Sequence, residues 1–559
     1  MGSRILPILA MFALVGAAIF GFSLFQEDAT AQGEFGTGPV VLHRGNGAEP
    51  VTLDPHGSAG TWESNILRDL FLGLYTDGPD GAPIFGAADS HEVSEDGRTH
   101  TLTIREGLVW SDGAPVTAYD YEFALRRILD PNTAARYASL LYLIENAEDI
   151  NIGRNPNLED LGVRAIDEQT LEIHLNRPAP FMPWLLTHVT MYPVPKHVVE
   201  EFGDSWTRPA NIVSNGPYTL TEWVPNDHIT VVKNPLFFDA ESIAIDEVVF
   251  YPTDDESAAL RRFRAGELDM NSGFPSQQLD WLRENMPEET RIFNYIGTSY
   301  LAVNMREGPL LDARIRRALA LAINRDIIAY EILRKGQTPA YTLVPPEIPD
   351  YAPPQADFAD WTHDERVHEA QRLMREAGYG PENTLHFKYR YRESVDNRRV
   401  AVAMARFWRD IYVEVDLVNT EPAVHYQDLE QGNFDVGDAG WIADYPDPEN
   451  YLFLLDSSSG LLNYGGYANS EFDALLAEAA QTMDLEARAA ILAQAETITI
   501  EEMPLIPTTY SVSSNLVGSQ IQGFEDNVVN IHPTRWLSID EDLRPVQPSF
   551  VDQIMRWFN

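Results

Sequence analysis

The chain has no cysteine in its 559 residues. Disulfides, thiolate nucleophiles, cysteine-ligated metals and a lipid-modified N-terminal cysteine are thereby excluded. Basic residues are scarce as well. Forty Lys and Arg stand against 85 Asp and Glu, a formal charge of −45 at pH 7. Phosphate recognition needs clustered Lys and Arg, so nucleic acid is not a partner, and an anionic membrane surface would repel the chain. No phosphate loop, Gly-rich dinucleotide loop, H-E-x-x-H or G-x-S-x-G occurs. The 13 His are scattered, with no pair at i, i+4 on one helix face. The expectation is a protein without a metal, without a cofactor and without enzymatic activity.

Long apolar runs are missing from all but the N-terminus. There, Arg4 precedes an uncharged run, Ile5–Phe25, and Ala29-Thr30-Ala31 forms an A-x-A site. This pattern predicts a signal peptide over 1–31, cleaved before Gln32. The run is also long enough to span a bilayer, so an uncleaved anchor is the alternative.

The rest reads as two or three globular domains, with 44% apolar and 11% aromatic residues. Expected helices are Glu63–Tyr75, Ala118–Leu129 (with Thr117 and Asp120 as a capping box), Ala258–Ala265, Asp312–Tyr330, Glu365–Ala377, Asp396–Ile411, Ser470–Gln481 and Leu485–Glu502. Expected strands are Thr99–Arg105, Thr170–Leu175, Tyr218–Trp223, His228–Lys233, Asp246–Tyr251, Thr384–Arg390, Tyr412–Val418 and Phe434–Val436. Helix and strand alternate in the second half, which argues for α/β layers. Residues 178–195 are Pro-rich and mark a boundary. Asp77-Gly78-Pro79-Asp80-Gly81 has too few ligands for a calcium loop and reads as a turn.

The stretch of greatest interest is Gly440–Tyr451, GWIADYPDPENY. Trp441 and Tyr445 suit the wall of a wet pocket. Asp444 sits between them, placed to hold a ligand cation. A plain surface turn is the competing reading. So is a carboxylate pair for hydrolysis among Asp438, Asp444, Asp447 and Glu449, although spacing along a Pro-rich turn fixes no useful distance.

Six segments taken together carry a resemblance. They are LDPHGSAGTWESNILRDLFLGLYT (53–76), WSDGAPVTAYDYEFALRRILDP (110–131), YPVPKHVVEEFGDSWTRPANIVSNGPYTLTEW (192–223), DARIRRALALAINRDII (312–328), LMREAGY (373–379) and GWIADYPDPENYLFLL (440–455). In this order they resemble the peptide-binding branch of the bacterial extracellular solute-binding proteins, family 5, nearest its oligopeptide-binding members. The likeness runs from about Val40 to about Ile539.

The resemblance implies an α/β, two-lobed periplasmic-binding-protein fold with an extra third domain. Lobe I would comprise 32–72, 197–296 and 512–559. The inserted domain would be 73–196 and lobe III 297–511. The chain would cross between lobes near Tyr295-Ile296 and near Tyr510. It implies a monomeric periplasmic receptor for short peptides with a free N-terminus, partnered by an inner-membrane ABC permease and its ATPase. The family pattern puts the peptide's α-ammonium on Asp444. Tyr137, Tyr295, Trp441 and Tyr510 match its aromatic walls. Gly440 and Ile442 would offer backbone groups, and Gly60 and Thr61 would touch the ligand. Four positions depart from the pattern: Asp438, Leu429 and Asn397 stand where cationic or imidazole groups are expected, and Pro422 replaces a tryptophan. A cation for the ligand's C-terminus would then come from Arg390, Arg392 or Arg398, or the ligand lacks a free carboxylate. A non-peptide ligand (nickel chelate, haem, sugar or opine) is the alternative on the same fold.

Overall fold

In a computed structural model, residues 38–544 are described. The expected signal peptide and residues 545–559 lie outside them. The core of residues 41–544 is an 11-stranded mixed sheet. From one edge its strands are Val413–Thr420, Leu385–Arg392, Val436–Ile442, Thr290–Val303, Leu505–Val517, Met270–Ser272, Val41–Gly45, Glu247–Tyr251, His228–Lys233 and Tyr218–Val224, with Thr338–Pro339 pairing beside Leu505–Val517. Val41–Gly45 runs parallel to Glu247–Tyr251 and to Met270–Ser272. Leu385–Arg392 runs parallel to both its neighbours. A separate antiparallel sheet joins Ala88–Val93, Thr99–Ile104, Thr170–His174 and Val163–Ala165. Helices flank these layers, as α/β alternation predicted.

The two long central strands organise the rest. Thr290–Val303 (TRIFNYIGTSYLAV) is rich in β-branched and aromatic residues, which fit a pleated, packed surface. It pairs antiparallel with Leu505–Val517, but the register breaks: Asn294 faces Val512, and the next pair is Thr298 with Tyr510. Beyond the break Thr290–Val303 gains a second partner, Val436–Ile442, starting at Gly297. A Cβ on Gly297 would lie 2.9 Å from Ser511 Oγ and 3.2 Å from Ile442 Cγ1, so the three strands close on this residue.

Buried side chains form distinct cores. One packs Leu319, Phe387, Met404 and Trp408 beneath Leu385–Arg392. A second packs Tyr300, Tyr451, Phe472 and Leu492, and the two cores take alternate residues of Thr290–Val303, with Leu301 and Val303 in the first and Tyr300 and Ala302 in the second. A third gathers Phe263, Phe274, Leu282 and Leu516 beside Met270–Ser272.

Several expected elements change length. The helix predicted over Glu63–Tyr75 is Thr61–Leu70. Beyond it the backbone is held extended, because the Asn215 side chain takes both the N–H of Leu72 (2.9 Å) and its carbonyl (3.1 Å). The helix predicted over Asp312–Tyr330 is Ala313–Ala322, followed by a π-helical turn, Ile327–Leu333. Buried Arg325 causes the interruption by donating inward to the carbonyls of Ala320, Ala340 and Pro507. The strand expected at Phe434–Val436 is Val436–Ile442 and includes Trp441. The Thr117 capping box is present, with Asp120 accepting the Thr117 N–H at 2.8 Å.

Candidate functional site

Strand Val436–Ile442 pairs with Thr290–Val303 along its whole length. On its other side it pairs with Leu385–Arg392 only at Val436 and Gly437. Among the described residues, the edge from Ala439 to Ile442 therefore has no strand partner. Such an edge is a template for an added strand. The chain then turns through Ala443 and Asp444 into Pro446 and Pro448, which end the strand.

A cavity of about 490 Å³ opens beside this edge. Distant stretches build it: residues of 58–68 in the first helix and its approach, Tyr137, residues of 184–189, Tyr295, Ile442–Asp444 and Val529–His532, together with Arg44, Asp77, Met270, Ser272 and Asn515. Asp444 is half-buried. Its own N–H donates to Asn450 Oδ1 at 3.1 Å. Burial pushes its carboxyl up to about 6, and the Asn450 side chain only partly offsets this. Among the described residues no cation contributes to its ionisation, and Asp444 is there a carboxylate without a counter-ion.

Of the remaining charges of the lining, one pair is compensated within the protein and Arg44 is not: among the described residues it has no ion-pair partner, and its buried Nε bonds to nothing. Arg68 pairs with Asp77 at 2.8 Å. Arg44, buried, donates to the carbonyl of His532 at 3.0 Å and lies in the field of Asp69. His188 and His532 are pushed down to about 3 by burial and stay neutral at pH 7. Burial likewise raises Tyr137, and Tyr295 to about 12, so both remain hydroxyl donors.

Of the residues singled out in the sequence, Asp444, Ile442, Tyr295, Tyr137, Thr61 and Gly60 line this one cavity. Trp441, Gly440 and Tyr510 do not. Trp441 donates its indole N–H to Asn450 Oδ1 at 3.0 Å and packs edge-on to Phe453. That oxygen also holds the Asp444 N–H, so Trp441 buttresses the loop rather than walling the cavity. Gly440 lies within the strand opposite Ser299. Tyr510 bonds through its hydroxyl to Thr342. Tyr445 turns away from the cavity and stacks on Phe181.

The carboxylates considered for hydrolysis do not converge. Asp447 takes both guanidinium nitrogens of Arg488, at 2.7 and 2.9 Å. Glu449 is held between Arg488 (2.8 Å) and Arg177 (2.5 Å). Asp438 accepts from Arg392 Nε at 2.9 Å and lies 3.1 Å from His425. Of the proposed basic groups, Arg390 pairs with Asp428 at 2.7 Å, and Arg398 is exposed on helix Val395–Arg409. Leu429 is core, and Asn397 donates to the Arg392 carbonyl. Pro422 opens helix Pro422–Glu430, a first-turn position that suits proline.

Sequence reasoning missed Arg44, Arg68, Trp184 and His188 in the lining. In the sequence, residues 178–195 show only a Pro-rich boundary, and their fold back onto the cavity leaves no local signal. Among the described residues no group of three or more His, Asp or Glu is arranged to hold a metal. No described helix is long and apolar enough to cross a membrane.

Residues 82–463 match the model of the bacterial extracellular solute-binding proteins, family 5 (middle part). The chain is 38% identical over 500 residues to the periplasmic oligopeptide-binding protein OppA of Salmonella typhimurium, covering 88% of this chain and 91% of that one. It is 34% identical to the periplasmic murein peptide-binding protein MppA of Escherichia coli, over 86% of this chain and 89% of that one. The structure of Haemophilus influenzae OppA in complex with RPPGFSPFR superposes with a TM-score of 0.77 at 34% identity, over 90% of this chain and 99% of that one.

Proposed function

The chain belongs to the family 5 bacterial extracellular solute-binding proteins, and on that footing we propose that it captures short peptides in its cavity and delivers them to an ABC importer. The observation that carries this reading is Asp444, a half-buried carboxylate without a counter-ion at the end of an unpaired strand edge. A peptide laid along Ala439–Ile442 as an added strand would bond through its main chain, which is blind to side-chain identity. Its α-ammonium would reach Asp444 and supply the missing charge. Gly440 and Ile442 would provide strand-edge groups, with Tyr137, Tyr295, Gly60 and Thr61 around the first residues. Tyr510 and Trp441 would act at one remove, through Thr342 and Asn450. Catalysis is not part of this reading, because Asp438, Asp447 and Glu449 are each neutralised by arginine.

The domain reading accompanies it. Lobe I would be 32–72, 197–296 and 512–559, the inserted domain 73–196, and lobe III 297–511. Only two strands, Thr290–Val303 and Leu505–Val517, would connect the lobes, and their register break supports a bend there. Closure around the ligand would be the state read by a membrane permease and its ATPase. The mature receptor would be monomeric and periplasmic, released by cleavage after Ala31.

Native mass spectrometry of the purified protein, followed by identification of the released molecules, tests the proposal. Short peptides sharing a length but not a sequence are the expected result. A single non-peptide molecule would overturn it in favour of another ligand on the same fold.

A further inference from the structure

The cavity holds a second uncompensated charge, of the opposite sign to Asp444. Its lining carries two guanidiniums, Arg44 and Arg68, and two carboxylates, Asp77 and Asp444. Arg68 and Asp77 cancel in an ion pair at 2.8 Å. Among the described residues, Arg44 and Asp444 are each left without an opposite charge in contact.

Arg44 is 3% exposed. Its strand, Val41–Gly45, lies beside Met270–Ser272, which lies in turn beside Leu505–Val517. These three strands bring Arg44, Ser272 and Asn515 into the same lining. Among the described residues the guanidinium makes one hydrogen bond, from Nη1 to the His532 carbonyl at 3.0 Å. Its Nε is shut away from solvent and has no acceptor. A buried charged donor in that state is destabilising, and such groups normally have a partner. Asp69 is not that partner. Its two oxygens accept from Thr534, from the hydroxyl at 2.6 Å and the N–H at 3.1 Å. A guanidinium in contact would hold a carboxyl below its ordinary value, whereas burial keeps Asp69 up at about 6. The Phe250 ring, with its centroid 5.7 Å from the guanidinium carbon, offers no lone pair.

The neighbours of Arg44 add a donor rather than an acceptor. Asn530 Oδ1 accepts from Asn515 Nδ2 at 2.8 Å and from His532 Nε2 at 3.2 Å. Asn530 Nδ2 is left uncommitted among the described residues, on the same lining. Burial and the Arg44 charge keep His532 neutral, so Arg44 is the cation of this corner. Arg390 and Arg392 are paired with Asp428 and Asp438 and, like Arg398, lie outside the lining.

Resting on the peptide reading, we propose that Arg44 is an anion-recognising residue of the cavity: it takes a carboxylate of a peptide whose ammonium stands at Asp444. That carboxylate belongs to an acidic side chain of the ligand or to the C-terminus of a very short one. A guanidinium matches a carboxylate in shape as well as charge, so a neutral amide at the same place is a poorer ligand.

Calorimetry on the mature protein at pH 7.5 tests this with two sets of ligands. C-amidated alanine tripeptides carry Glu or Gln at the first, second or third position, and Ala-Ala and Ala-Ala-Ala are compared free and amidated. At least one charged ligand is expected to bind more than about fivefold tighter than its neutral twin, and the ratio to fall below about fivefold in Arg44→Gln. A Glu-over-Gln preference assigns the carboxylate to a side chain, and a free-over-amide preference assigns it to the C-terminus. Ratios below about fivefold in every pair would overturn the inference, as would a preference that persists in Arg44→Gln. Neutral twins that bind would then leave the peptide reading standing, whereas failure of every ligand would overturn both. Because Arg44 is buried, a second measurement uses no variant. A crystal structure of the wild-type protein with the tightest charged ligand should place a carboxylate oxygen within about 3.2 Å of Arg44 Nε or Nη2. A carboxylate held elsewhere would overturn the inference.

Discussion

Phe181 lies flat on Tyr445, with ring centroids 4.4 Å apart and planes 10° from parallel. The two residues are far apart in sequence, and Tyr445 directly follows Asp444. The same junction holds Arg177, which reaches Glu449 at 2.5 and 3.1 Å, and Arg488, which lies over the Phe181 ring. The loop presenting the candidate ligand carboxylate is thus fixed from the 177–181 segment as well as from its own strand.

Cutting this junction is expected to weaken binding without altering a cavity-lining side chain. Phe181→Ala removes a buried ring and should cost about 3 kcal/mol or more of stability. Arg177→Ala is milder, since Glu449 keeps Arg488. A double-mutant cycle on Arg177 and Glu449, read by urea unfolding, should give a coupling of about 1–2 kcal/mol for this partly buried pair. Peptide affinity in Arg177→Ala should fall severalfold. An unchanged affinity would show that the junction does not position the loop.

Acidification should release the ligand. Asp444 must be ionised to hold an ammonium, and burial lifts its carboxyl to about 6 in the empty site. Affinity should therefore fall about tenfold per pH unit below that value, and fall again above about pH 8 as the peptide amine loses its proton. Asp444→Asn should remove the acid limb and lower affinity by about 3 kcal/mol or more. The same variant should be slightly more stable than wild type when empty at pH 7, because the folded state no longer carries an unpaired charge. Thermal melts with and without peptide, across pH 5–9, distinguish these effects.

Glu496 provides a stability prediction away from the cavity. Its buried carboxyl, bonded to Val344 N–H (2.8 Å) and Tyr351 hydroxyl (2.6 Å), is raised to about 7. The unfolded state ionises this group from about pH 4.5, so it contributes a loss of stability that grows as pH rises to about 7 and then levels off. Glu496→Gln should flatten that part of the stability-versus-pH curve. Chemical denaturation at half-unit steps between pH 4.5 and 8 measures it, and an unchanged slope would contradict the assignment.

At Gly297, where three strands converge, Gly297→Val would push a side chain into Ser511 and Ile442. We expect a loss of about 1–3 kcal/mol from overpacking. If the register break is where the lobes bend, peptide-induced compaction seen by small-angle scattering should also shrink. Compaction equal to wild type would place the bend elsewhere.

Much of this was legible in the sequence because it is encoded locally. Thr117 and Asp120 announce a helix start, and the prolines after Asp444 announce a strand end. Six of the nine singled-out residues line one cavity because the resemblance ordered segments that periodicity alone cannot bring together. What was not legible depends on contacts between distant parts. Trp441 is diverted from the cavity by Asn450, nine residues later. Arg325 interrupts a helix because carbonyls at Ala340 and Pro507 are available to it. Arg392, a candidate cation for the ligand's C-terminus, is paired with Asp438 on another strand. None of these partners is marked by spacing.

The position of strand Leu505–Val517 has a consequence for how the protein comes into being. It lies at the middle of the sheet yet near the end of the chain, and Val41–Gly45 waits for a partner about two hundred residues downstream. A chain that emerges N-terminus first cannot complete its centre until almost all of it has appeared. Non-local pairing of this kind delays folding. The centre of the sheet therefore closes only once Leu505–Val517 has been made, whatever has already folded on either side of it.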